Sequence, residues 1–127
     1  MSLDMDPVVR PQWCAALRSG DYQQAKHELR QTVAGVVIGH CCLGVLTDLW
    51  LKAGHEEMIY DSADPAAPPV SVWDKGGGVL SSPVAEWAGL TAPDPRLRPN
   101  RGGRATGLND SGFTFAEIAD LIDGGAA

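Results

Sequence analysis

The chain has 127 residues, 44% of them hydrophobic, with 15 Gly and 9 Pro, so one folded domain rich in loops is expected, with a core needing neither disulfide nor metal staple. Its 16 acidic against 10 basic residues give a net charge of −6, which excludes a broad nucleic-acid-binding surface, since that requires positive charge. Three cysteines, two of them adjacent, fit reduced thiols in a cytoplasm better than a disulfide framework.

The opening stretch, MSLDMDP, is acidic and lacks the apolar core of a secretory signal, and residues 1–7 are expected to be disordered. Val8 to Gly20 reads as a first helix, with Pro11 in its N-terminal turn and Trp13, Ala16 and Leu17 on one apolar face. Cys14 points away from that face and is expected to be partly exposed. Asp21 to Arg30 fits either a helix capped by Asp21 or a strand with alternating polar residues. Thr32 to Ile38, TVAGVVI, is β-branched and apolar, which predicts a buried strand, and Gly39 then turns the chain.

The stretch HCCLGVLTDLWLKAG, His40 to Gly54, is the most apolar in the chain. Leu43, Leu46, Leu49 and Trp50 recur three or four apart, with Val45 and Leu51 extending the apolar surface almost all round. This predicts a buried central helix over Cys41–Ala53, with Thr47 and Asp48 sharing one narrow exposed stripe. Lys52 lies in its last turn, where a cation meets the negative end of the helix dipole, and Gly54 follows as the terminator. Gly44 costs roughly 1 kcal/mol in a helix interior relative to alanine, so a close backbone neighbour is expected there. His40, Asp48 and the glycines interrupt this region too often for a membrane span.

Met58–Tyr60 and Val70–Trp73 read as short strands around the loop DSADPAAPP at 61–69. Lys75–Gly78, KGGG, is a turn that lacks the Lys-Ser/Thr pair of a phosphate loop. Ser82-Pro83 opens a third helix, serine as cap and proline at its first position, which Gly89 ends. Residues 91–107 are expected to be an extended loop with at most one strand. Thr114-Phe115-Ala116-Glu117 is a capping box, with Phe113 and Ile118 placed as a hydrophobic staple. The helix that follows turns Phe115, Ile118, Ala119 and Ile122 inward and stops at Gly124-Gly125.

Three segments together resemble a family of small proteins of no established activity carried by bacteriophages and prophages, many from actinobacteria. They are Trp13 and Leu17-Arg18-Ser19-Gly20 with Tyr22 and Gln24; Cys41-Cys42-Leu43-Gly44-Val45-Leu46 with Asp48-Leu49; and Leu108-Asn109-Asp110-Ser111-Gly112 leading to Phe115 and Glu117-Ile118-Ala119-Asp120-Leu121-Ile122. The resemblance implies a viral or mobile-element origin. Members of that family commonly carry an aromatic residue before the double cysteine and a further cysteine at the position of Thr47. His40 and Thr47 stand there instead, which speaks against a metal site.

Several residues carry candidate chemistry. A cysteine at a helix N-terminus has a lowered pKa, so Cys41 or Cys42 is a candidate nucleophile, with His40, His27 or His55 as base and Asp48 or Asn109 as orienter. The bland alternative makes both cysteines small core residues. Zinc could draw on Cys14, His27, His40 and Cys41 or Cys42, but no CxxC or HxxxH spacing supports it, and no metal or cofactor is expected. The final helix resembles the first half of a helix-turn-helix, yet the few residues after it leave no room for a recognition helix. Asn109, Asp110 and Ser111 are ordinary turn formers; the alternative is a ligand loop for a phosphate or ribose, with Arg101 and Arg104 supplying charge.

The expected architecture is a single α+β domain, a small, mainly antiparallel sheet packed with about four helices around the central one. The expected function is a non-catalytic binding module of phage type acting in the host cytoplasm on a host protein or a small nucleotide-like ligand. A cysteine-dependent hydrolase is the first alternative, and a structural or self-assembling protein, which exposed tryptophans would mark, is another. No membrane contact is expected, and a homo-oligomer is compatible with the sequence.

Overall fold

The computed structural model describes residues 3–60, 64–74, 78–98 and 103–124. Among them run α1 (Val9–Arg18), a hairpin of β1 (Arg30–Val33) and β2 (Val36–His40), α2 (Cys42–Lys52), β3 (Met58–Ile59) and β4 (Val70–Ser71). A 3₁₀ turn (Val72–Asp74), α3 (Ser82–Trp87), β5 (Arg96–Arg98), β6 (Gly103–Arg104), α4 (Ala105–Asp110) and α5 (Phe115–Asp123) complete the order. The α+β class is as expected, with five α-helices, but the strands form three separate antiparallel pairs rather than one sheet. The buried core is supplied mostly by helix residues, with Leu29, Ile59, Val72, Leu80, Leu90 and Leu97 added from outside the helices.

α2 lies at the centre, with Leu43, Val45 and Leu46 fully buried. Gly44 is required there: a Cβ would lie 1.7 Å from the Leu29 carbonyl oxygen, so the backbone preceding β1 rests directly on α2. Thr47 is fully buried instead of lining an exposed stripe, its hydroxyl donating to the Leu43 carbonyl at 3.0 Å. α1 packs against α5. Cys14, expected to be partly exposed, is buried between them, and Arg18 forms ion pairs with Asp120 at 2.7 Å and Asp123 at 2.9 Å. The Trp13 indole donates to the Cys42 carbonyl at 2.9 Å, which ties α1 to the start of α2.

The capping box forms as read. Glu117 N–H donates to the Thr114 hydroxyl at 3.1 Å, and Thr114 N–H donates to the Glu117 carboxylate at 3.0 Å. Residues 3–6 are tied down rather than disordered. Leu3 N–H donates to the Ile122 carbonyl at 2.8 Å, Met5 is buried, and the Asp6 carboxylate accepts from Val8 and Val9 at 2.8 and 3.0 Å, capping α1. α3 begins one residue early, with Ser81 rather than Ser82 as its cap residue.

The largest departure concerns residues 30–40. Thr32 to Ile38 is not one buried strand but the greater part of a hairpin that turns at Ala34-Gly35, both with positive φ (51° and 80°). Its apolar residues face outward, with Val33 59%, Val36 64%, Val37 45% and Ile38 43% exposed. Asp21–Leu29 is neither helix nor strand, apart from an isolated parallel bridge between Gln24 and His40.

Candidate functional site

The proposed ligand loop turns out to be a structural hub. Leu108, Asn109 and Asp110 form the end of α4 rather than a turn, and Asn109 is 0% exposed. Its side-chain oxygen accepts from Cys42 N–H at 3.2 Å and from the Gln24 amide at 3.0 Å. Its nitrogen donates to the Ala25 carbonyl at 2.7 Å and to Asp110 at 3.2 Å. All four bonding positions of the amide are therefore used within the chain. Gln24 continues the network to the Phe113 carbonyl and the Phe115 amide, at 2.7 and 3.1 Å. Ser111 donates to the Leu108 carbonyl at 3.1 Å, and Arg104 to the Asp94 carbonyl at 3.0 Å. Arg101 lies outside the described residues. Among the described residues nominated, Asn109, Ser111 and Arg104 bond within the chain, while Asp110 lines a small cavity.

The cysteines occupy the N-terminus of α2. Cys41 is its cap residue, 2% exposed, and Cys42 is fully buried with its thiol 3.6 Å from the Ala105 carbonyl. Burial pushes the Cys41 thiol up to about 11, although the amides of Gly44 and Leu43 pull it the other way. Burial also raises Cys42 well above the ordinary thiol range, and burial followed by the Asp123 hydrogen bond takes Cys14 to about 12. Both effects keep the thiols protonated at neutral pH.

The three histidines part company. His40 packs edge-on to Tyr22 at 5.2 Å and tilted to Trp73 at 5.6 Å, while His55 stacks on Trp50 at 4.6 Å. Asp48 accepts from the Tyr22 hydroxyl and pairs with Lys52 at 3.1 Å, so it is engaged away from the cysteines. His27 shares a space with Cys41, a cavity of about 70 Å³ also lined by Glu28, Gly78, Thr106 and Asp110. Its Nδ1 lies 3.2 Å from Asp110, whose other oxygen accepts from His27 N–H at 2.9 Å. Among the described residues no three His, Cys, Asp or Glu side chains gather as a metal-binding group.

A groove of about 390 Å³ lies beside this cavity, lined by His27, Glu28, Leu29, Arg30, Thr32, Trp73, Asp74 and Gly78. The Arg30 guanidinium sits 4.5 Å over the Trp73 ring, a cation–π contact. It continues toward the outward-facing apolar hairpin. Neither the hairpin nor the His27–Asp110 pair was anticipated from the sequence. The hairpin left a signal, a small-residue pair dividing two β-branched runs (TV-AG-VV), whereas nothing in the sequence links His27 to a residue 83 positions later.

No helix among the described residues is long and apolar enough to cross a membrane. No curated protein and no solved structure matches the chain. A family model described as a domain of unknown function, DUF8296, matches residues 5–125, nearly the full length, and the protein belongs to that family.

Proposed function

We propose that this chain is a non-catalytic protein-binding module, an accessory protein of a phage or prophage that acts on a host protein in the host cytoplasm. The observation that carries the reading is the β1–β2 hairpin. Val33, Val36, Val37 and Ile38 are 43–64% exposed, and exposed apolar side chains gathered on one element are a feature of interaction surfaces. The motif resemblance supports the phage origin. A protein partner is favoured over a nucleotide-like ligand, because Asn109 is fully engaged inside the chain and Arg104 is bonded to the backbone of Asp94. Trp13 and Trp50 are buried, which removes the pointer to a self-assembling role from those two residues.

The test is affinity purification from a bacterial host with the wild type and with the double substitution Val36→Lys, Val37→Lys, followed by reconstitution with the purified candidate. The expected result is a host protein whose binding weakens at least tenfold in the double variant, while the melting temperature stays close to that of the wild type. Binding indifferent to these substitutions would refute docking through the hairpin.

One observation favours a second reading, a cysteine-dependent hydrolase: Cys41 opens onto the cavity that holds the His27–Asp110 pair. The raised thiol pKa weighs against it. A Cys41 that outpaces free cysteine with iodoacetamide would reverse this preference.

A further inference from the structure

The base of the hairpin is fastened at His40. Its N–H donates to the Gln23 carbonyl at 2.9 Å, its carbonyl accepts from Ala25 N–H at 2.8 Å, and it pairs with Arg30 across the hairpin. The next residue, Cys41, donates its N–H to the Leu29 carbonyl at 3.2 Å, so the chain enters α2 held on both sides of His40. The half-buried His40 ring lies edge-on to Tyr22 at 5.2 Å and tilted to Trp73 at 5.6 Å. Both of those rings already carry a cation: the Arg30 guanidinium lies 4.5 Å over Trp73, and Lys52 Nζ 5.3 Å over Tyr22. Among the described residues, the charged groups acting on His40 are Arg30 from β1 and Asp48 and Lys52 from α2. The loop before β1 brings the Tyr22 hydroxyl, which burial keeps protonated, and the 3₁₀ turn brings the uncharged Trp73. Asp48 is itself shared between Lys52, at 3.1 Å, and the Tyr22 hydroxyl. A proton on His40 therefore makes a third cation beside a single carboxylate that is already paired.

We infer that His40 is a proton-operated latch on the hairpin: the neutral ring seats the base of β2 against Tyr22 and Trp73, and the protonated ring leaves that seat and frees the hairpin base while the helical core stays folded. The direction follows from where the ring sits. Burial holds His40 below its ordinary 6.5, Asp48 opposes this, and Arg30 and Lys52 add to it. A ring released into water takes up a proton more readily than the seated one, so falling pH draws the equilibrium toward release. Release also costs little apolar burial, because Val33, Val36, Val37 and Ile38 already face water. Segments of that kind open locally before the core does. The consequence for docking rests on the protein-binding reading: the hairpin is held in one orientation near neutral pH and loses it in acid.

The test uses the free full chain, so failure of the latch leaves the protein-binding reading standing, and failure of host-protein binding leaves the latch standing. Proton NMR of the His40 ring gives its titration between about pH 7.5 and about pH 5. Amide hydrogen exchange, corrected for intrinsic rates, follows the bonds made by the N–H groups of Ala25, His40 and Cys41. Protection of these three amides should fall along the ring's titration, by about tenfold per pH unit separating that titration from 6.5. Protection of Ile118 and Ile122 in α5 should hold. His40→Gln keeps a neutral side chain and should show no fall. Arg30→Gln removes one opposing cation and should raise the pH at which the ring titrates. No fall in the wild type, a fall that persists in His40→Gln, equal loss at Ile118 and Ile122, or a ring titration indifferent to Arg30→Gln would overturn the latch.

Discussion

The Asn109 side-chain oxygen accepts from Cys42 N–H at 3.2 Å across 67 residues of sequence, so the first amide of the central helix is capped by a residue of α4. The same side chain holds the Ala25 carbonyl and the Gln24 amide, and it thereby locks the loop before β1, α2 and α4 to one another. Asn109→Ala leaves the Ala25 carbonyl and the Cys42 amide unsatisfied in a dry interior, at about 1–3 kcal/mol each. A total loss of about 2–5 kcal/mol in urea unfolding is expected. Asn109→Asp should not rescue it, because a carboxylate cannot donate to Ala25 and would face Asp110. A loss under about 1 kcal/mol for both variants would sink this account.

Gly44→Ala places a methyl group into the Leu29 carbonyl oxygen. The gain in helix propensity, about 1 kcal/mol, is smaller than the cost of separating two backbones. Destabilisation of at least about 3 kcal/mol, or failure to fold, is expected, and circular dichroism of the purified variant is the check.

Ala34 occupies a left-handed conformation that costs a non-glycine residue about 1–2 kcal/mol. Asparagine tolerates it better, and Asn-Gly is the favoured pair for a turn with positive φ at both positions. Ala34→Asn should therefore raise stability by about 0.5–1 kcal/mol. An unchanged or lower denaturation midpoint would count against the turn geometry.

His40 is held below the ordinary 6.5, first by burial and then by Arg30 and Lys52, while Asp48 opposes them. Below about pH 6.5 the unfolded chain takes up a proton that the folded chain refuses. The stability His40 contributes is thus present above that pH and lost as pH falls through its folded pKa. Unfolding free energies at about pH 7.5 and 5.5 should differ more for the wild type than for His40→Gln. Equal slopes would show that His40 titrates as if it were in water.

The three thiols should react with a disulfide reagent near pH 8 far more slowly than glutathione, and all at once upon unfolding. Their raised pKa values also act on stability. The contribution is full below the ordinary value of 9.0 and is lost as pH rises through about 11 for Cys41 and about 12 for Cys14. A single thiol reactive in the native state would contradict this burial and revive the hydrolase.

Local chemistry written in neighbouring residues was legible from the sequence alone. The central helix, the capping box at Thr114–Glu117, the apolar face of α5 and the need for a close neighbour at Gly44 follow from spacing and side-chain type, because helix periodicity and capping act over three or four residues. The site was not legible. Asn109 looked like a turn residue because its four partners come from Gln24, Ala25, Cys42 and Asp110, and only the packing of α4 on α2 brings the first three to it. Thr32–Ile38 looked buried because β-branched runs usually are. Whether such a run lies inside or folds on itself in water depends on whether other elements cover it, and here the helices fill the core without it. The sequence thus determined the central and terminal helices and the cap of the latter, but not α4. The tertiary structure alone decided which polar residues became internal struts and which apolar ones were left facing solvent, since burial belongs to the assembled chain and not to any segment.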